Sequence, residues 1–278
     1  MLIAEDKIEH NVLSGFAGKE NNMKTSGNTI LITGGGTGIG KELAIQLKAL
    51  DNEVIICGRR ESRLVEVSEL CPGINYMTCD ITSDADRRDL FANVTKNFPE
   101  INVLINNGAF QVDRNLALGE AELDGLEEEV ASIFTGPIRL NGLFIPYFAG
   151  KTDPVIINVT SILGFTPIPP IPVYCSAKAG FHLYTIMLRK HLEQTPIKVI
   201  EVIPPAVKSE LNQEGRKKRT KPGAIYPGLE TDFYAAYVIK ELQKGNLDIF
   251  CDASDEIKGP EVMNGKRYEI EQKNLHSH

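Results

Sequence analysis

"TGGGTGIG" (residues 33–40) joins an apolar run, "TILI" (29–32), to "GKELAIQLKAL" (40–50), in which Leu43, Ala44, Leu47 and Leu50 share one side at helical spacing. Glycines at a strand-to-helix junction permit positive φ and let a ligand approach the backbone closely. The helix start offers free N–H groups and the positive end of its dipole to an anion such as a pyrophosphate. A Gly-rich turn also occurs as plain punctuation, so the spacing must carry the reading. Gly34, Gly38 and Gly40 form G-x-x-x-G-x-G, on which neither G-x-G-x-x-G nor G-x-x-G-x-x-G can be laid.

Outward from this loop the pattern alternates. Strand-like apolar runs recur at "EVIICG" (53–58), "INYMTCD" (74–80), "INVLINNG" (101–108), "VIINVTS" (155–161), "IKVIEVIPP" (197–205) and "LDIF" (247–250). Helical patterns separate them: "RRESRLVEVSEL" (59–70), "DADRRDLFANVTKNF" (84–98), a long helix over 123–149, another over 174–194, and "ETDFYAAYVIKELQKG" (230–245). Strands alternating with helices of this length predict an α/β fold, a doubly wound parallel sheet of about seven strands with helices on both faces. One domain over 28–250 results, with a polar, basic, Pro- and Gly-punctuated substrate loop at about 207–229. Residues 1–27 read as a polar tail outside the fold, and 251–278 as a second tail without a pattern.

The totals narrow the function classes. A chain of 278 residues, 42% hydrophobic and 24% charged, has the composition of a soluble globular protein. A net charge of −7 argues against nucleic acid as the main partner. No apolar run approaches the roughly 18 residues of a membrane span. The N-terminus mixes charge into each apolar patch and lacks the pattern of a secretory signal. Five cysteines without a CxxC pair are most simply free thiols in a reducing compartment, which makes the cytoplasm the expected location.

With Thr33 in front, the glycine motif resembles that of the short-chain dehydrogenases/reductases. The resemblance implies a Rossmann-like fold holding a nicotinamide dinucleotide on Gly34, Gly36, Thr37, Gly38, Ile39 and Gly40. In a dinucleotide fold an acid about 20 residues on, at the end of the second strand, takes the adenosine ribose hydroxyl of NAD. Gly58 stands there instead, followed by Arg59 and Arg60. A missing carboxylate removes repulsion, and a guanidinium grips a 2′-phosphate in bidentate fashion, so NADP(H) is expected over NAD(H). The resemblance further places Asp80 and Ile81 at the adenine. Asn107 and Gly108, within "NNGA" (106–109), fall beneath the ribose.

"VYCSAK" (173–178) sets Tyr174 and Lys178 four apart, on one helical face. Spacing alone proves nothing, since Tyr147 and Lys151 repeat it. Only Tyr174 follows a strand ending in a serine, Ser161, 13 positions upstream. Gly150 interrupts the other pair, whose phenol and ammonium are not expected to share a face; Tyr147 reads as a packing residue. Ser161, Tyr174 and Lys178 match the catalytic arrangement of the family. A free phenol ionises near pH 10, and an ammonium one turn away favours the phenolate. A drop of roughly 3 units requires about 4 kcal/mol of differential stabilisation. By the resemblance, Tyr174 protonates a carbonyl oxygen as hydride arrives, Ser161 holds that oxygen, and Lys178 also binds the nicotinamide ribose. Pro204, Val207 and Ser209, in "PPAVKSEL" (204–211), resemble the family's Pro-Pro-x-Val-x-Thr segment at the carboxamide. Lys208, "RRESRL" (59–64) and "GPIRL" (136–140) together resemble the DltE-like branch.

The match departs at Ile133. Family members usually carry an Asn there that helps hold a water linking the lysine to solvent. Isoleucine cannot, and Asn141 lies about two turns further on. This keeps two functions open: an NADP(H)-dependent oxidoreductase acting on a small carbonyl or alcohol, and an NADP(H)-binding sensor with little or no turnover. His182 and His191 lack ligand-spaced partners, so no metal site is expected. "GRKKRTK" (215–221) reads as a solvated loop or, in the second place, as a contact for an anionic substrate, and 162–173 as further pocket lining. Ala177, Phe181, Tyr184 and Leu188 form an apolar stripe that Leu183, Ile186 and Met187 widen, which fits a partner helix. The resemblance implies a homodimer or homotetramer.

Overall fold

The computed structural model describes residues 23–220 and 228–251. Seven strands form one sheet among these residues: β1 (Thr29–Thr33), β2 (Glu53–Gly58), β3 (Ile74–Thr78), β4 (Ile101–Asn106), β5 (Val155–Val159), β6 (Lys198–Ile203) and β7 (Asp248–Phe250). All pairings are parallel, in the order β3-β2-β1-β4-β5-β6-β7. The helices are α1 (Gly38–Ala49), α2 (Glu61–Leu70), α3 (Asp84–Asn97), α4 (Leu126–Val130), α5 (Gly136–Phe148), α6 (Pro172–His191), α7 (Gln213–Arg219) and α8 (Thr231–Gln243).

Strand alternation sends successive side chains into opposite layers. Ile30, Ile32, Val54 and Ile56 pack against Leu43 and Leu47 of α1, Leu64 of α2, and Tyr234 and Val238 of α8. Leu31, Ile55, Leu104 and Ile156 face Leu90 of α3, Phe144 and Phe148 of α5, and Leu188 of α6. Each such side chain, removed from water, contributes about 1.5–3 kcal/mol. Burial on both faces is why the strands read as continuous apolar runs. Local signals start the helices: Ser83 caps α3 by accepting from Asp86 N, and Pro172 opens α6, where its missing N–H costs nothing. The chain leaves β1 for β2 on one side and reaches β4 on the other. The crevice at the carboxyl ends of β1 and β4 is therefore the topological switch point, where ligands bind in open α/β sheets.

Three differences from the sequence reading stand out. Met23 is buried in the core and Lys24 pairs with Asp153 at 2.7 Å, so residues 23–27 pack onto the domain; the tails at 1–22 and 252–278 lie outside the described residues. The helix expected over 123–149 is two helices joined by a π-turn at Ala131–Thr135, closed by Gly136 N–H on Ala131 O. Pro137 lacks an N–H for the ordinary ladder, and Gly136 lets the turn approach Ile81 O, which a Cβ would meet at 2.7 Å. Finally, Tyr147 and Lys151 do meet. Both donate to Pro99 O, and the ammonium lies 4.8 Å from the ring centroid, because the chain curls back after Phe148 instead of diverging at Gly150. Tyr147 packs edge-on against Phe91, as a packing residue would. All five cysteines are free thiols, and no described helix is long and apolar enough to cross a membrane.

Candidate active site

A cavity of about 730 Å³ opens at the switch point. Its floor is the glycine loop. Gly34 and Gly38 hold φ of +66° and +56°, and a Cβ on Gly34 would lie 2.7 Å from Gly108 Cα. Thr33 Oγ1 accepts from the N–H groups of Asn107 and Gly108, both at 3.0 Å, and the Asn107 amide donates to Thr33 O at 3.0 Å. The loop is thus stitched to the end of β4, leaving a side-chain-free cradle at the N-terminus of α1. Gly34, Gly36, Thr37, Gly38 and Ile39 line the cavity. Gly40 does not; it packs under the Asn107 amide, where a Cβ would clash.

One end of the cavity is cationic. Arg59, Arg60 and Arg63 line it. Arg59 pairs with Glu128, while Arg60 and Arg63 reach Glu210 at 3.5 and 3.3 Å. The sequence reading missed Arg63, although its i+4 spacing from Arg59 was a signal. Asp80 and Ile81 also line this end; Asp80 Oδ1 already accepts from Thr82 N and Oγ1 at 2.9 and 2.8 Å. Asn107 and Gly108 line the middle.

At the other end stand Ser161, Tyr174 and Lys178, all nearly buried. Ser161 follows β5 and accepts from Leu163 N at 3.1 Å, which leaves its hydroxyl hydrogen for a ligand. Gly164 lets that turn press on α6: a Cβ there would lie 2.9 Å from Ala179 N. Lys178 donates to Val159 O at 2.7 Å, its Nζ 5.8 Å from the Tyr174 ring centroid. Burial pushes the Lys178 ammonium down to about 7, against a partial upward pull from Glu201. Ile133 is fully buried among Ile171, Tyr174, Cys175 and Ala177, so the Asn position of the family is an apolar contact here. Asn141 is elsewhere engaged, accepting from the Asn106 amide at 2.7 Å.

The loop after β6 closes the cavity. Pro204, Val207, Ser209 and Arg216 line it, with Ile162, Leu163 and Ile168 from the stretch 162–173. Of the basic cluster, Arg216 turns inward to Val207 O at 2.9 Å, Arg219 pairs with Asp113, and Lys217 and Lys218 are exposed. Residues 221–227 of this loop lie outside the described residues. Among the described residues no cluster of His, Cys, Asp and Glu could hold a metal. His182 pairs instead with the buried Glu201, a partner the sequence reading did not find.

A glycine cradle at a helix N-terminus, cations at one end and a Tyr–Lys–Ser group at the other define a Rossmann-like dinucleotide-binding domain. The cradle depends on glycine at this point, since a Cβ on Gly34 would meet the Gly108 backbone at 2.7 Å and push the loop off the end of β4. A family model described as short chain dehydrogenase matches residues 28–220. The uncharacterized oxidoreductase DltE of Bacillus subtilis (strain 168) is 40% identical over 227 residues, 82% of this chain and 89% of that protein. An NADP-dependent 3-hydroxy acid dehydrogenase of Schizosaccharomyces pombe is 28% identical over 195 residues, 68% of this chain and 75% of that one. Among solved structures, a short-chain dehydrogenase from Sphingobium yanoikuyae in complex with NADPH has a TM-score of 0.73 at 21% identity, covering 90% of this chain and 96% of that one. A 3-ketoacyl-(acyl-carrier-protein) reductase from Brucella melitensis complexed with NADH has a TM-score of 0.71 at 23% identity, covering 84% and 100%. The chain belongs to the short-chain dehydrogenase/reductase family of oxidoreductases.

Proposed function

We propose that this protein is an NADP(H)-dependent oxidoreductase that interconverts a carbonyl and an alcohol on a small molecule, with Tyr174 as general acid and base. The observation that carries the reading is the convergence of Ser161, Tyr174 and Lys178 on one cavity with the glycine cradle. The nicotinamide, when bound, supplies or takes up the hydride. Ser161 donates its hydroxyl hydrogen to the substrate oxygen. Tyr174 protonates that oxygen in reduction and takes the proton back in oxidation. Lys178, when charged, lowers the cost of the phenolate. The apolar side chains of Ile162, Leu163 and Ile168 keep water from the reacting bond.

Arg59, Arg60 and Arg63 support NADP(H) over NAD(H), since a 2′-phosphate there meets cations and no carboxylate from the end of β2. Free thiols fit a cytoplasmic setting. The exposed Leu183, Ile186 and Met187 on α6 support a homodimer or homotetramer; Met187→Glu should lower the mass seen by sedimentation if this face is the contact.

The test is NADPH consumption against ketones, aldehydes and quinones, with Tyr174→Phe beside wild type and NADPH binding measured by fluorescence. Turnover lost in the phenylalanine variant while binding persists supports the oxidoreductase. Undiminished turnover in that variant refutes the role of Tyr174. The second reading, a sensor with little turnover, draws on the apolar Ile133, and is favoured by tight NADPH binding with no consumption across the panel.

A further inference from the structure

Glu201 is a charged side chain buried completely in the middle of β6, where an apolar residue would satisfy the sheet. Two side chains hold it. Thr160 Oγ1 donates to Oε1 at 2.7 Å, and His182 Nδ1 lies 2.8 and 2.9 Å from its two oxygens. His182 sits one turn beyond Lys178 on α6 and is packed edge-on against Phe165 at 4.3 Å, so the imidazole is fixed as well. A buried carboxylate so placed is costly unless its charge is used.

We propose that Glu201, locked by His182 and Thr160, is the positioning residue that supplies the counter-charge for Lys178 in the closed site. The proposal rests on the reading of Tyr174 and Lys178 as the reacting pair. Lys178 is buried and donates to the Val159 carbonyl. Thr160, the next residue, donates to Glu201, and His182, one turn along the helix of Lys178, meets it too, so the groups that hold Glu201 flank the ammonium that its charge favours. Its other neighbours do not substitute. Tyr174 and His182 share its helix; β5 and the turn after it contribute the Val159 carbonyl and the hydroxyls of Thr160 and Ser161. Glu129 of α4 is neutralised by Arg114 at 3.0 Å, and Arg216 of α7 is bonded to loop carbonyls. Beside Glu201, Asp248 of β7 pairs outward with Arg189. With Ile133 offering Lys178 no polar group, Glu201 becomes the feature that keeps the ammonium available to Tyr174.

The experiment is a ¹³C NMR titration of Lys178, with lysine labelled at Cε, in the protein without added cofactor. Glu201→Gln keeps the shape, and His182 can change tautomer to accept from the new amide. The expected result is a Lys178 midpoint lower than wild type by about one pH unit or more. Glu201→Asp, which keeps the charge, should restore most of the shift. Should the glutamine variant fail to fold, the double variant Glu201→Leu with His182→Phe removes the same charge, since apolar replacement of a buried pair is often tolerated. A Lys178 midpoint unchanged in the charge-free variants overturns the proposal, as does an aspartate variant that falls as far as glutamine. The readout needs no turnover, so failure of the oxidoreductase reading and failure of this one are told apart.

Discussion

Lys178→Met should stabilise the protein at neutral pH while it abolishes turnover, and the stabilisation should vanish in alkali. In the unfolded chain this lysine titrates at its ordinary 10.5, whereas burial lowers it to about 7 in the fold. Between those values the unfolded state binds the extra proton, so wild-type stability rises with pH across the window. The penalty is absent above about 10.5, where both states are neutral, and complete below about 7, where both are charged. At about 1.4 kcal/mol per pH unit, the full cost is about 5 kcal/mol. Methionine removes it but leaves Val159 O without its 2.7 Å donor, a pH-independent loss of about 1–3 kcal/mol. The net gain near pH 7 should be about 2–4 kcal/mol. Urea unfolding of both proteins from pH 6 to 10.5 checks it: the difference should fall with pH and change sign near the alkaline end. A difference that is flat with pH would refute the assignment of a desolvated, titrating Lys178.

Gly34→Ala should cost about 2–4 kcal/mol and destroy dinucleotide binding, because alanine at φ +66° is strained and its Cβ meets the Gly108 backbone at 2.7 Å. Thermal melts with and without NADPH would show both effects, and a ligand-induced rise in Tm that survives would count against the cradle. Arg60→Ala combined with Arg63→Ala should weaken NADPH binding about tenfold or more and leave NADH binding nearly unchanged, by titration calorimetry. Equal losses for both would place the 2′-phosphate elsewhere. Glu129→Ala should destabilise by about 3–5 kcal/mol in urea, since it strands the buried Arg114 that Glu129 meets at 3.1 and 3.0 Å. A loss under about 1 kcal/mol would mean that Arg114 finds other partners.

Local order along the chain was enough for the frame and for most of the residues that line the candidate site. Strands apolar on both faces and helices apolar on one announce a covered parallel sheet, because the period of burial is written into neighbouring residues. Gly34, Gly38, Ser161, Tyr174 and Lys178 were legible for a related reason. Each lies at the end of a strand or the start of a helix, and a parallel sheet brings all such ends to one edge. What only the tertiary structure decided are pairings between residues with no local relation. His182 finds Glu201, Arg60 and Arg63 find Glu210, and Arg114 finds Glu129. Such partners depend on strand register, helix rotation and loop path. Those are settled by packing the whole core at once, so no short stretch of sequence contains them.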